Sequence, residues 1–323
     1  MREAIASAPG KVNLTLRVGA STPDGYHPLV TVFEALDLRE TVRVRTSRTP
    51  GIRVETTAHR PDGSLDRETT AAMADLDPQT HLAVRAAKAL QRLAMAGPWA
   101  QTAAGLDIRV DKRVPMTGGM AGGSADAAAA LVACNALWEL GLSPEQLELI
   151  GRTLGADVPA CLAGGIALGT GRGDRMRVLG AGEAPRHHWA IALAHGGLST
   201  PEVFRALDAA GGPSGRWTDL EEPGEAEVAA LTGEALGLPA ALVNDLQDTA
   251  LSLRPDLAAT FDAARAAGAL AVLLCGSGPS IASLARDDED AARIADALSA
   301  LPGVAAASPT AGPVPGARLE EER

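Results

Sequence analysis

The sequence predicts an α+β fold spread over two domains, and three observations predict it. Segments with two-residue apolar alternation stand in hairpin-like pairs, with helical patterns between them but no regular strand-helix alternation. At 323 residues the chain is long enough for two domains of ordinary size. A Gly-, Ala- and Pro-containing stretch at 180–185 then separates two sets of elements like a seam. The expected division is an N-terminal domain over 1–184, a C-terminal domain over 185–311, and a disordered tail over 312–323.

Taken in order, alternating apolar residues predict strands near 11–18, 29–36, 41–46 and 51–56. A helical pattern covers 79–95, with Leu82, Ala86, Leu90 and Leu93 on one face. A strand over 105–110 leads into a glycine-rich loop and a helix reaching 140. Ser143-Pro144-Glu145-Gln146 starts the next helix, with Ser as cap and Pro at the first position. Gly155-Ala156-Asp157-Val158-Pro159 breaks that helix and begins a short one. Strands follow at 165–170 and 174–179. Beyond the seam come a strand at 188–194, a helix at 201–209, a loop at 211–224, and helices over most of 225–267. Strands at 269–275 and 281–285, a helix at 288–300 and a strand near 304–308 complete the order.

Composition narrows the functions. Nearly half the residues are apolar but aromatics are scarce, so Ala, Leu and Val must fill the core. A net charge of −11 argues against a nucleic-acid or membrane-surface binder, which needs a basic face. An anionic substrate would need a local positive site. Cys134, Cys161 and Cys275 lie far apart and form no zinc or redox motif, which suits buried thiols in a reducing cytoplasm. The N-terminal residues lack a signal-peptide core, and no apolar run reaches membrane-spanning length.

One segment carries the most chemistry. Gly118, Gly119, Gly122 and Gly123 fall within six residues, followed at once by Ser124 and a run of helix formers. Glycines let a backbone approach a ligand closely, and a helix start offers unpaired N–H groups with partial positive charge. Together they make a phosphate cradle, with Ser and Asp expected in the capping region. The alternative is a flexible surface loop, but glycine-rich linkers rarely run straight into a helix. A Walker loop needs Lys after its last glycine, where this chain has Ser124; the dinucleotide fingerprint spacing is also absent. The cradle's cation must come from elsewhere.

Only three of the 29 basic residues are lysines: Lys11, Lys88 and Lys112. Lys88 reads as a solvated helix residue, and Lys112 ends a strand beside Arg113. Lys11 opens the alternating strand Val12-Asn13-Leu14-Thr15-Leu16 and is either an exposed strand end or the missing cation. Thr22-Pro23-Asp24-Gly25-Tyr26-His27 is a turn followed by an aromatic and an imidazole, which either decorate a hairpin or hold a planar base. Asp157 reads as a helix cap, a general base, or both. Gly276, Ser277 and Gly278 form a hairpin turn or a second backbone cradle. Asn244-Asp245 starts or interrupts a helix, and His187-His188 have no third metal ligand nearby.

In this order, Pro9-Gly10-Lys11-Val12-Asn13-Leu14, Asp24-Gly25-Tyr26-His27, the loop at 115–124, Leu154-Gly155-Ala156-Asp157-Val158-Pro159 and Gly276-Ser277-Gly278 resemble the GHMP kinases over nearly the whole chain. The Lys-x-Asn, Asp-Gly-Tyr-His and Gly-Ala-Asp-Val-Pro segments resemble the branch that phosphorylates a cytidine diphosphate methylerythritol in the non-mevalonate isoprenoid pathway. The resemblance implies an N-terminal domain like the second domain of ribosomal protein S5 and a ferredoxin-like C-terminal domain. It implies ATP and Mg²⁺ as cofactors, a small-molecule acceptor, neither nucleic acid nor membrane as partner, and a monomer or homodimer.

Carried over by residue, the resemblance makes Asp157 the base and Lys11 the catalytic lysine. Asn13 would position the hydroxyl, while Tyr26 and His27 would hold the cytosine, with Phe204 a weaker match on its other face. Pro115, Met116, Thr117, Gly118, Gly119, Met120, Ala121, Gly122, Gly123, Ser124 and Ala125 would bind ATP, with Ser124 a candidate neighbour of Mg²⁺. The chain departs from the family pattern at Thr117, where glycine is more usual, and at Thr80-His81-Leu82, where Asn often precedes Leu. The competing readings are another GHMP kinase, for homoserine, mevalonate or a sugar, and a nucleotide-binding regulator without catalysis. The Tyr26-His27 pair argues against the first, and the joint presence of Lys11 and Asp157 against the second.

Overall fold

The computed structural model describes residues 2–60, 63–115, 118–180 and 184–322. The first half runs β1 (Glu3–Val18), β2 (Leu29–Thr46), β3 (Gly51–Ala58), α1 (Arg67–Ala74), α2 (Leu82–Met95), α3 (Ala100–Ala103) and β4 (Gly105–Lys112). It continues through α4 (Gly122–Leu137), α5 (Pro144–Leu154), α6 (Val158–Ala163), β5 (Ile166–Thr170) and β6 (Arg175–Val178). The second half runs β7 (His187–Ala194), α7 (Thr200–Ala209), α8 (Glu225–Leu231), β8 (Val243–Asn244), α9 (Gln247–Leu253) and α10 (Ala258–Ala266). It ends with β9 (Ala271–Leu274), β10 (Ile281–Ala285), α11 (Asp288–Ser299), β11 (Val304–Gly312) and β12 (Arg318–Glu322).

This is an α+β arrangement with two sheets. The larger has the order β12-β1-β2-β4-β3, with β5 and β6 added beside β2 and the short β8 beside β1. The smaller has the order β11-β7-β10-β9. The strands expected at 29–36 and 41–46 are one strand, β2, because both halves pair with β1: Phe33 with Asn13, and Val42 with Ala6. The polar residues between them look like a turn in sequence. Arg39 and Glu40 are instead bonded internally, Arg39 to Ser7 and Glu40 to Lys112.

Side-chain caps start α1, α2, α5 and α11, whereas α4 at the glycine loop has none. Ser143 and Gln146 form the expected capping box on α5, with Pro144 in the first turn. Asp66 caps α1, a helix the apolar pattern did not reveal because none of its residues is buried. At α4 the cap is Ala121, with φ 64° and no side-chain cap bond. Ser124 and Asp126 therefore lie inside the helix, not at its cap, and its first N–H groups remain open. α4 is built from alanines and is buried with Ala83, Val84 and Leu90 of α2 and Ala4, Ala6 and Ala8 of β1. Small side chains let the helix lie deep between sheet and helix.

Helices fill most of 225–267, with a gap at 232–246 that holds a 3-10 turn at Leu238–Ala240 and the short β8, which runs parallel to β1, Thr15 opposite Val243. One expectation needs correction. The tail is ordered over 312–322: β12 pairs with β1, Ala4 opposite Glu322. Composition hid the reason. Gly164 and Gly316 meet backbone to backbone, where a Cβ on Gly316 would stand 2.0 Å from the Leu162 carbonyl oxygen. Arg39 donates to the carbonyls of Pro315 and Gly316, at 2.8 Å each.

The two sheets are tied by a buried polar contact. Glu34 of β2 accepts from His187 Nδ1 at 2.8 Å and from Trp189 Nε1 at 3.1 Å, both on β7. His187 Nε2 donates to the Gly233 carbonyl at 2.8 Å. Burial opposes the imidazolium, but the Glu34 hydrogen bond and charge and the Gly233 carbonyl outweigh it, so His187 is held above its ordinary value of 6.5. Its stabilisation is complete below 6.5 and is lost as pH rises through the raised folded value. Urea unfolding should therefore show stability falling across the neutral range and beyond. His187→Gln should flatten that slope and cost about 3–5 kcal/mol at pH 6, since it strands a buried carboxylate. A variant with an unchanged slope would remove the pair from the pH response.

Candidate active site

The site begins with an irregularity in β1. Its pairing with β2 shifts register between Pro9 and Gly10 and again between Asn13 and Thr15, so bulges bracket Lys11 and Asn13. Bulges re-aim side chains. The Lys11 backbone N–H donates to the Met120 carbonyl at 3.1 Å, which seats the glycine loop on the strand. Its buried ammonium donates to Asn13 Oδ1 at 2.7 Å and to the Gly119 carbonyl at 2.9 Å. Asp157 Oδ2 stands 3.7 Å away. Asn13 is itself fixed, donating to Thr31 Oγ1, which donates on to the Thr15 carbonyl.

Asp157 occupies the cap position of α6, but its side chain makes no cap bond. It is free to face Lys11, with the acid 37% exposed toward the cavity. Of the two readings of this residue, the cap is not realised. Ser124 lies nearby: its hydroxyl is 3.8 Å from where a Cβ on Gly155 would sit.

The glycine loop and the 276–278 turn are pressed together. Gly119 has φ +77°, and a Cβ there would fall 1.8 Å from the Cys275 carbonyl oxygen, so no other residue fits. A Cβ on Gly276 would come 3.4 Å from Asn13 Oδ1 and 3.6 Å from Lys11 Nζ. Asn244 holds the turn from behind, donating to the carbonyls of Leu274 and Gly276. Ser277 Oγ meets Thr200 Oγ1 at 2.7 Å. Pro115, Gly118, Gly119, Met120, Ala121, Gly122 and Gly123 line a surface cavity of about 340 Å³, with His81 and Lys112 on its far wall. Ala125 is buried in α4 behind the loop. Met116 and Thr117 lie outside the described residues.

Tyr26 and His27 behave differently from each other. Tyr26 is more than half exposed, and the Arg172 guanidinium stacks on its ring at 3.6 Å. His27 is enclosed by Phe204, centroids 5.0 Å apart, and by Trp217, at 5.5 Å. Its Nδ1 donates to the Gly19 carbonyl at 2.8 Å, and its Nε2 faces Asp208 at 3.3 Å. The protein takes Nδ1, while Nε2 faces the part-exposed Asp208 carboxylate. Phe204 also lines the cavity of Lys11 and Asp157.

Lys112 ends β4, as expected, and its side chain is buried. It donates to Glu40 at 2.8 Å and to Asp126 at 2.7 Å, all three buried. Burial outweighs the neighbouring ammonium and raises Glu40 to about 8, with Asp126 raised too. Burial works against Lys112, but the two carboxyls hold it above its ordinary value. Burial disfavours two bare carboxylates side by side here, and the Lys112 ammonium between them opposes that rise. Burial also lowers His81, so it is neutral, accepting from Ala83 N–H through Nδ1 and donating through Nε2 to Thr56. Sequence reading missed this cluster because its members lie far apart in the chain. Lys112→Met should cost about 3–5 kcal/mol in stability, and Glu40→Gln in the same chain should recover part of it. Calorimetry reads both; a single variant as stable as the parent would mean the ammonium does not hold the two acids.

Fold and geometry together describe a glycine loop at a helix start, a lysine-carboxylate pair and an aromatic cluster. Residues 81–165 match the GHMP kinases N terminal domain and 225–302 the GHMP kinases C terminal domain. The chain belongs to the GHMP kinases, and it is a kinase. A protein of Cutibacterium acnes named 4-diphosphocytidyl-2-C-methyl-D-erythritol kinase is 43% identical over 312 residues, covering 96% of this chain and 94% of that one. A Streptomyces coelicolor protein of the same name is 47% identical over 295 residues, covering 90% and 91%. A crystal structure of 4-(cytidine 5'-diphospho)-2C-methyl-D-erythritol kinase matches with TM-score 0.71 and 30% identity, covering 96% of this chain and 99% of that one.

Proposed function

We propose that this chain transfers the γ-phosphoryl group of ATP to the 2-hydroxyl of 4-diphosphocytidyl-2-C-methyl-D-erythritol, in the non-mevalonate route to isoprenoid precursors, as a cytoplasmic enzyme. The observation that carries this reading is one cavity. Lys11, Asn13 and Asp157 line it together with Gly119 and Ala121 of the loop, Gly276 and Ser277 of the second turn, and Phe204. A hydroxyl held there has a base on one side and a phosphate cradle on the other.

The carboxylate of Asp157 takes the hydroxyl proton as the oxygen attacks the γ-phosphorus and the bond to the β-phosphate oxygen breaks, releasing ADP. Lys11 faces both the carboxylate and the loop, so one charge pairs with Asp157 and offsets charge gathering on the transferred group. Asn13 orients the hydroxyl, and the open N–H groups at the start of α4 hold the phosphates. Among the described residues no group of three or more His, Cys, Asp or Glu side chains could hold a metal by itself. Ser124, in the first turn of α4, would stand near a magnesium ion that arrives on the nucleotide, where the ion would neutralise phosphate charge. Among the described residues no helix is long and apolar enough to cross a membrane.

Purified protein with Mg-ATP should phosphorylate the cytidyl acceptor and leave mevalonate and homoserine untouched in a coupled ADP-release assay. Comparable turnover of mevalonate would sink the assignment. Asp157→Ala should lower kcat by about 10²–10⁴ with ATP affinity retained by calorimetric titration. Full activity in that variant would take the proton-accepting role away from Asp157.

A further inference from the structure

Arg172 has no part in the mechanism above, yet it borders two cavities. One holds Tyr26, His27, Arg152 and Arg175; the other holds Lys11, Asn13 and Asp157. We propose that Arg172 binds the diphosphate of the acceptor, so that this single guanidinium links the base pocket to the reacting hydroxyl. The inference rests on the proposed cytidyl acceptor and adds the residue that reads its charge.

The geometry carries it. A molecule with a base at one end and a polyol at the other, joined by a diphosphate, must cross the ridge between these cavities. Arg172 stands on that ridge. The turn that bears it is anchored: Leu29 N–H donates to the Gly171 carbonyl at 2.8 Å, and Gly171 and Gly173 both have positive φ. Asp174 accepts from the Arg172 backbone and from Arg152 Nε, each at 3.2 Å, which ties the turn to α5. The backbone is fixed while the side chain reaches out.

Its present partners are ones a phosphate can replace. Arg172 donates to Asp24 at 2.8 Å, but both side chains are more than half exposed. Exposed pairs of this kind contribute little, so exchange of one carboxylate for a doubly charged diphosphate is favourable. A guanidinium matches phosphate oxygens in a bidentate manner that an ammonium does not. The stack on Tyr26 can persist during the exchange, since a planar cation bonds through its edge while its face rests on the ring. In a chain of net charge −11 this supplies the local positive site that an anionic acceptor needs.

Calorimetric titration of cytidine, CMP and CDP without magnesium, on the parent chain and on Arg172→Met and Arg172→Lys, tests this. The parent should bind CDP about tenfold or more tighter than cytidine, the equivalent of one charge-assisted contact. Arg172→Met should bring that ratio close to one while cytidine affinity changes little, and Arg172→Lys should fall between. The acceptor KM should rise in Arg172→Met while the KM for ATP does not. If all three ligands bind and Arg172→Met keeps the parent's ratio, the Arg172 assignment is overturned and the cytidyl reading stands. If the parent binds none of them, the base pocket itself fails and the assignment falls with it.

Discussion

An ammonium taken out of water must find its partners in the protein, and Lys11 finds them on three different parts of the chain. Its side chain is buried on β1, yet it donates to Asn13 on the same strand and to the carbonyl of Gly119, and it faces Asp157 at the start of α6. A lone buried cation would be too costly to keep. The glycine loop, the bulged strand and the head of α6 therefore have to converge. The glycine loop is held in register with the proposed base because both satisfy the same charge.

The same requirement accounts for the glycines around it. Gly119 can offer its carbonyl to Lys11 only if the loop passes against Cys275, at a distance no side chain tolerates. Gly276 approaches Lys11 and Asn13 from the opposite sheet. The contact thus joins the two sheets at the cleft, while Glu34, His187 and Trp189 join them by a second buried polar cluster. Lys112 with Glu40 and Asp126 makes a further buried polar cluster, between the larger sheet and α4. Few aromatics are available to fill interfaces, and charge-assisted hydrogen bonds supply much of the specificity that large side chains supply elsewhere.

Much of the chemistry was legible in the sequence because it is local. A run of four glycines entering an alanine-rich helix announces a cradle, and the capping box of α5 announces a helix start. Tyr26 is legible because it is the one tyrosine in the chain. Other residues were not. Arg172, Trp217 and Asp208 sit in segments with no distinguishing pattern, and only folding brings them against Tyr26 and His27. A histidine beside a tyrosine likewise gives no hint that its Nδ1 is held by the Gly19 carbonyl.

The sequence by itself determined the α+β class, the order of most elements, the glycine loop that enters a helix, and the identities of the lysine and aspartate that meet beside it. These rest on periodicity, helix signals and glycine content, which act over a few residues. The tertiary structure alone decided that residues 29–46 form one strand, that the tail closes the large sheet, and that Lys112 is buried between two acids. Each depends on a partner distant in the chain. The tail shows why most plainly. Its composition is that of a disordered segment, and it is ordered because Gly316 lies against Leu162 and Gly164 and because Arg39 needs the carbonyls it offers. Backbone groups seeking partners decide such cases, and those partners cannot be read from neighbouring residues.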